Sequence, residues 1–160
     1  MTSQETTGEL EDRINEIASH YAQHRSAIMP ALHLIQAERG YISRQSMEEV
    51  ANILDIAPVQ VYEVATFYHQ FHTKPIGTYH LQVCTNVSCM LMGAECLVNR
   101  LEQNLNIACG ETTSDTRITL STVECLGSCD TAPVMQINNE AYSENLTEQK
   151  LDDILRTLNH

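Results

Sequence analysis

Residues 83–93, "VCTNVSCMLMG", hold Cys84 and Cys89 with four residues between them, and residues 124–133, "ECLGSCDTAP", hold Cys125 and Cys129 with three between. Thiols paired this way can close disulfides, bind zinc, or ligate an iron–sulfur cluster. Structural zinc sites favour short Cys-x-x-Cys knuckles but tolerate wider spacing. Four cysteine thiolates equally suit a [2Fe–2S] or [4Fe–4S] centre. A thioredoxin-type Cys-x-x-Cys is missing, as is the three-in-one-loop spacing of common ferredoxins. Gly93, Gly127, Ser88 and Ser128 are small, which lets backbone N–H groups approach cluster sulfurs and leans the reading toward iron. Spacing alone leaves iron–sulfur, zinc and thiol redox without a metal open.

The whole-chain numbers narrow the setting. The chain has 160 residues, 42% of them hydrophobic, which suffices for a core. Nine basic against 21 acidic residues give a formal charge of −12. That excludes a nucleic-acid or anionic-membrane binder, both of which need clustered Lys and Arg, and points to a partner with a complementary basic face. No apolar run reaches the roughly 18 residues of a membrane span. The opening "MTSQETTGELEDR" has neither a secretory apolar core nor an Arg-rich transit pattern. The expected compartment is the reducing cytosol, where disulfides are disfavoured and paired cysteines bind metal or do redox work.

The elements that must carry these loops follow from hydrophobic period. Residues 1–8 are polar and read as a disordered start. Leu10, Ile14, Ile17, Ala18 and Tyr21 mark a first helix. Pro30 suits the first turn of a second, closed by Gly40. "SMEE" at 46–49 has a capping-box pattern that would open a third helix with Met47, Val50, Ala51 and Leu54. Pro58 starts a fourth with Val61, Val64, Ala65 and Tyr68. Residues 9–76 therefore read as a helical bundle. Pro75 and Gly77 punctuate a boundary. Beyond it, 77–160 reads β-α-β-β-β-α: "TYHLQVC", the helix "GAECLVNRLEQNLN", "RITLSTVEC", a hairpin around Asn138 and Asn139, and a closing helix capped by Thr147. Cys84 and Cys125 end two strands. If those strands run parallel, both cysteine loops emerge at one end of the sheet, where open α/β sheets bind ligands.

The stretches "VCTNVSCMLMGA" and "TVECLGSCDTAPVMQIN", with "ALHLIQAERGYIS" and "VYEVATFYHQF" upstream, resemble the thioredoxin-like [2Fe–2S] subunit family of the NADH-oxidising module of respiratory complex I. The resemblance spans roughly residues 10–158. It implies an α+β chain: an N-terminal helical bundle that docks a partner, then a thioredoxin-like α/β [2Fe–2S] ferredoxin domain. It implies one [2Fe–2S] cluster on Cys84, Cys89, Cys125 and Cys129, with FMN and NADH on a partner subunit only. It further implies additional iron–sulfur subunits and a place in the peripheral arm of a membrane-associated NADH:quinone oxidoreductase, without direct membrane insertion. The same subunit type would serve a soluble NAD-linked hydrogenase or formate dehydrogenase. A zinc-stabilised adaptor with no redox role is the alternative of another class.

The remaining residues offer no second chemistry. Cys96 and Cys109 read as small buried hydrophobes. His20 and His24 sit four apart on the expected first helix but lack a third ligand. Phe67, Tyr68 and Phe71 read as core or interface. Glu124 and Asp130 flank the second pair, where a carboxylate near a negative cluster would lower its potential. The sequence leaves the isomer at Pro133 open. No glycines fall close enough for a nucleotide-binding turn or P-loop, and no acid–base pair or activated serine is visible. The chain reads as an electron relay or store with no substrate site of its own.

Overall fold

Leu10, Ile14 and Ala18 recur once per helical turn, and they line the buried face of α1, Ser3–Ser19, in a computed structural model that describes residues 3–158. Most helical stability in a folded protein comes from packing an apolar face, and burial of that row supplies it here. The helix covers most of the stretch read as a disordered start; Met1 and Thr2 lie outside the described residues. The chain divides into two units, Met1–Pro75 and Ile76–His160, each with its own hydrophobic core.

In the first unit a single 3₁₀ turn, His24–Ala27, leads into α2, Ile28–Arg39. Pro30 is the third helical residue, within the first turn, where a missing N–H costs nothing. Gly40 closes the helix at φ +79°, its N–H donating to the Gln36 carbonyl. The third helix, α3, runs Arg44–Ile53, and its cap corrects the sequence reading. Ser43, not Ser46, is the N-cap, its Oγ accepting from the Ser46 N–H at 3.0 Å. Ser46 is buried instead, and its hydroxyl accepts from Arg39, which also holds Glu49. The capping-box glutamate is thus engaged by an arginine of α2. Ser43→Ala should destabilise this unit by about 1 kcal/mol, read as a lower midpoint in urea with an unchanged slope. Helix α4, Pro58–Phe67, starts on Pro58 and buries Val61 and Ala65. Val59, Tyr62 and Phe67 stay exposed, Phe67 at 79%.

The second unit contains β1 (Tyr79–Cys84), α5 (Val87–Leu91), α6 (Ala94–Leu105), β2 (Ile118–Val123), β3 (Met135–Ile137), β4 (Ala141–Ser143) and α7 (Glu148–Leu158). The expected order holds, with the short helix α5 added. The sheet order is β2-β1-β3-β4. Strands β1 and β2 are parallel, in register from Tyr79 opposite Ile118 to Cys84 opposite Val123. Strand β3 pairs antiparallel with β1 and with β4. Asn138 and Asn139 take the left-handed φ that a tight hairpin turn needs. Helix α6 connects β1 to β2 and packs on both, with α7 beside it. Leu97 and Leu101 of α6 share a core with Leu151 and Leu155 of α7 and with Leu81, Val83 and Leu120 of the sheet. Arg100 clamps the two helices, donating to both oxygens of Asp152 at 2.6 and 3.1 Å and to Glu148 at 2.7 Å. The guanidinium holds the Asp152 carboxyl below the usual carboxylate range. Thr147 caps α7 as expected, accepting from the Lys150 N–H.

Candidate metal centre

Parallel pairing of β1 and β2 decides where the cysteines go. Cys84 is the last residue of β1 and sits opposite Val123, the last of β2. Both strands therefore release their chains at the same end of the sheet, Cys84 directly and Cys125 two residues later. Each loop is then shaped locally. After β1, the Asn86 side chain accepts the Val87 N–H at 2.9 Å and starts α5, which turns Cys89 inward. After β2, Gly127 adopts φ +76°, a conformation that side chains resist. With the chain so turned, the Gly127 N–H donates to Cys125 Sγ at 3.3 Å. The contact is an amide-to-sulfur hydrogen bond made by a small residue of this loop.

Cys84 and Cys89 are buried, each 3% exposed, and belong to the core of the unit; Cys125 and Cys129 are exposed. All six cysteines are free thiols. Burial pushes the Cys89 thiol up, and the adjacent Cys84 sulfur and the nearby Cys129 push it further in the same direction. A buried thiol resists ionising, whereas a bound metal ionises its thiol ligands outright. Among the described residues no three Cys, His, Asp or Glu side chains gather tightly enough to hold one ion. Four cysteines presented as two pairs from two loops fit a two-iron cluster, in which each iron takes two protein ligands.

The second loop is also strapped from outside. The Tyr142 hydroxyl donates to the Leu126 carbonyl at 2.9 Å, the Asn145 N–H to Thr131 O at 2.7 Å, and the Leu146 N–H to Pro133 O at 3.0 Å. No sequence signal pointed to these contacts, because they join segments 13 to 16 positions apart. The Ala132–Pro133 bond is cis.

Other expectations are corrected here. Cys96 and Cys109 are exposed rather than buried: Cys96 falls on the outer face of α6, beside buried Leu97, and the Cys109 thiol turns to the Thr122 hydroxyl. His20 and His24 do not share a helix, since α1 ends at Ser19. The His24 ring instead bonds the Leu54 carbonyl at 2.7 Å. Of the three aromatics, Phe71 is core, while Phe67 and Tyr68 are exposed. Glu124 and Asp130 are both exposed.

The second unit is a small α/β unit with paired cysteine loops at the end of two parallel strands, and the chain belongs to the thioredoxin-like [2Fe–2S] ferredoxin family, whose model matches residues 14–159. The chain is similar to an NADH-quinone oxidoreductase subunit, the second of the E type, from Rhizobium meliloti, with 52% identity over 148 residues, covering 92% of this chain and 88% of that one. It is similar also to NADH-quinone oxidoreductase subunit 2 of Thermus thermophilus, with 46% identity over 134 residues, covering 84% and 74%. Among solved structures, an NAD+-reducing [NiFe]-hydrogenase in the air-oxidized state shares the fold at a TM-score of 0.67 and 24% identity, over 80% of this chain and 22% of that one. No helix among the described residues is long and apolar enough to cross a membrane.

Proposed function

We propose that this chain is the electron-transfer subunit of an NADH:quinone oxidoreductase, holding one [2Fe–2S] cluster on Cys84, Cys89, Cys125 and Cys129. The observation that carries the reading is the parallel register that sends both cysteine pairs out at one end of the sheet. When bound, the group would supply one-electron chemistry. The chain's own residues do the rest. Cys84 and Cys89 fix the cluster on the rigid side, because they are part of the packed core. Cys125 and Cys129 face solvent on a loop held by hydrogen bonds, and the Gly127 amide steadies one sulfur.

Hydride chemistry belongs to a partner that binds FMN and NADH, and further iron–sulfur subunits continue the path. The complex I assignment rests on relatives at 52% and 46% identity; the hydrogenase likeness is one of fold. Exposed apolar side chains support a subunit built to be covered: Val87, Met90, Leu91 and Met92 surround Cys89, and Tyr62 and Phe67 mark the helical unit. The test is to isolate the chain alone and with its co-purifying subunits, and add NADH to each. A reduced-cluster EPR signal from this chain should form only in the assembly. A signal formed by NADH with the isolated chain would contradict the division of labour, and co-purification with hydrogenase subunits would reassign the parent complex.

A further inference from the structure

We infer that Glu144 is a positioning residue that holds a fixed negative charge against the second cysteine loop and so lowers the reduction potential of the centre; this rests on the proposed cluster assignment. Ser128, one residue from Cys129, donates its hydroxyl to Glu144 Oε1 at 2.7 Å. The Thr131 hydroxyl lies 2.7 Å from Ser128 Oγ and also reaches the Ser128 carbonyl. The chain Thr131–Ser128–Glu144 therefore ties the Glu144 carboxylate to the loop that carries both exposed cysteines. The backbone around Glu144 is tied down as well, with Tyr142 bonded to Leu126 on one side and Asn145 and Leu146 bonded to Thr131 and Pro133 on the other. The same hydroxyls keep the Glu144 carboxyl below the usual carboxylate range, so it is anionic throughout the neutral range.

Glu124 and Asp130 also flank the loop, but Glu144 differs in having its carboxylate fixed by a loop hydroxyl. A fixed charge contributes in both redox states and opposes the extra negative charge of the reduced one. Because Glu144 is exposed, the effect is modest and sensitive to salt.

The experiment is a potentiometric titration, followed by EPR, of the complete chain carrying its cluster, in wild type, Glu144→Gln and Ser128→Ala. Glutamine keeps an acceptor for Ser128 and removes only the charge. Glu144→Gln should retain full iron content and shift the oxidised-to-reduced ratio at fixed ambient potential roughly threefold toward reduced, the size of an exposed charge effect, or about 28 mV upward for a one-electron couple. The shift should shrink at 1 M salt, where screening acts within about 3 Å. Ser128→Ala, which frees the carboxylate without removing it, should shift the potential the same way by less. An unchanged potential in Glu144→Gln, or loss of its iron, would overturn the inference. Absence of a cluster in the wild type would overturn the proposed function instead.

Discussion

Cys129→Ala yields a folded chain without its cluster: iron and acid-labile sulfide fall to background, and the EPR signal of the reduced protein disappears. The choice of cysteine matters. Cys84 and Cys89 are part of the hydrophobic core, so replacing either removes a packed side chain as well as a ligand, and loss of iron would mix two causes. Cys129 is exposed, and alanine there leaves the core intact. Circular dichroism and the thermal midpoint of the metal-free chain should match wild type, while the metal centre, left with three thiolates, is lost. Cys96→Ala supplies the control, because Cys96 stands on the exposed face of α6 and should keep full iron. Wild-type iron content in Cys129→Ala would remove it from the ligand set.

Gly77→Ala should cost the second unit about 3 kcal/mol, the upper end of the range for overpacking. A Cβ at residue 77 would lie 2.6 Å from the carbonyl carbon and oxygen of Arg117 and 2.8 Å from the Ile118 nitrogen. These are backbone atoms at the start of β2 and cannot swing aside as a side-chain tip would. The Gly77 N–H is also committed, donating to Thr119 Oγ1 at 2.7 Å. Separating the two segments strains the entry to the β1–β2 pairing, where the Tyr79 N–H meets the Arg117 carbonyl at 2.8 Å. For a unit of this size the loss corresponds to a fall of roughly 15 °C in thermal midpoint, measured by calorimetry on the metal-free chain. The cysteine loops hang from the far ends of these strands, so cluster retention should fall as well. An unchanged midpoint would show that β2 can retreat from residue 77 at little cost.

How far the sequence carried the reading varies with the physics at each position. The helical period placed α1, α2, α3 and α4 because one apolar stripe decides each of them. The two long strands were legible as short runs, although β2 ends at Val123, two residues before the cysteine read as its end, and their parallel pairing turned a conditional argument about loop convergence into an observed register. Helix α5 escaped notice because five residues are too few to show a period; its signal was Asn86, a good N-cap ahead of "VSCML". The α3 cap was misplaced because Ser43 and Ser46 both satisfy local rules, and only Arg39, from another helix, decides between them. Cys96 and Cys109 were misjudged because cysteine burial follows the residue's usual habit rather than its place on a helix face. Gly77 was read as punctuation, and its tight approach to β2 is a tertiary fact with no local trace. The strap from Tyr142 to Leu146 is of the same kind.

The measurement that bears most directly on the cluster assignment is metal and sulfide analysis of the anaerobically purified chain, with EPR after dithionite reduction. Two irons and two sulfides per chain, with a rhombic or axial S = 1/2 signal, is the result expected of a [2Fe–2S] centre on these four cysteines. One zinc per chain, no sulfide and no signal, in protein made with ample iron, would contradict it and leave a zinc-stabilised adaptor that keeps the fold without the redox chemistry.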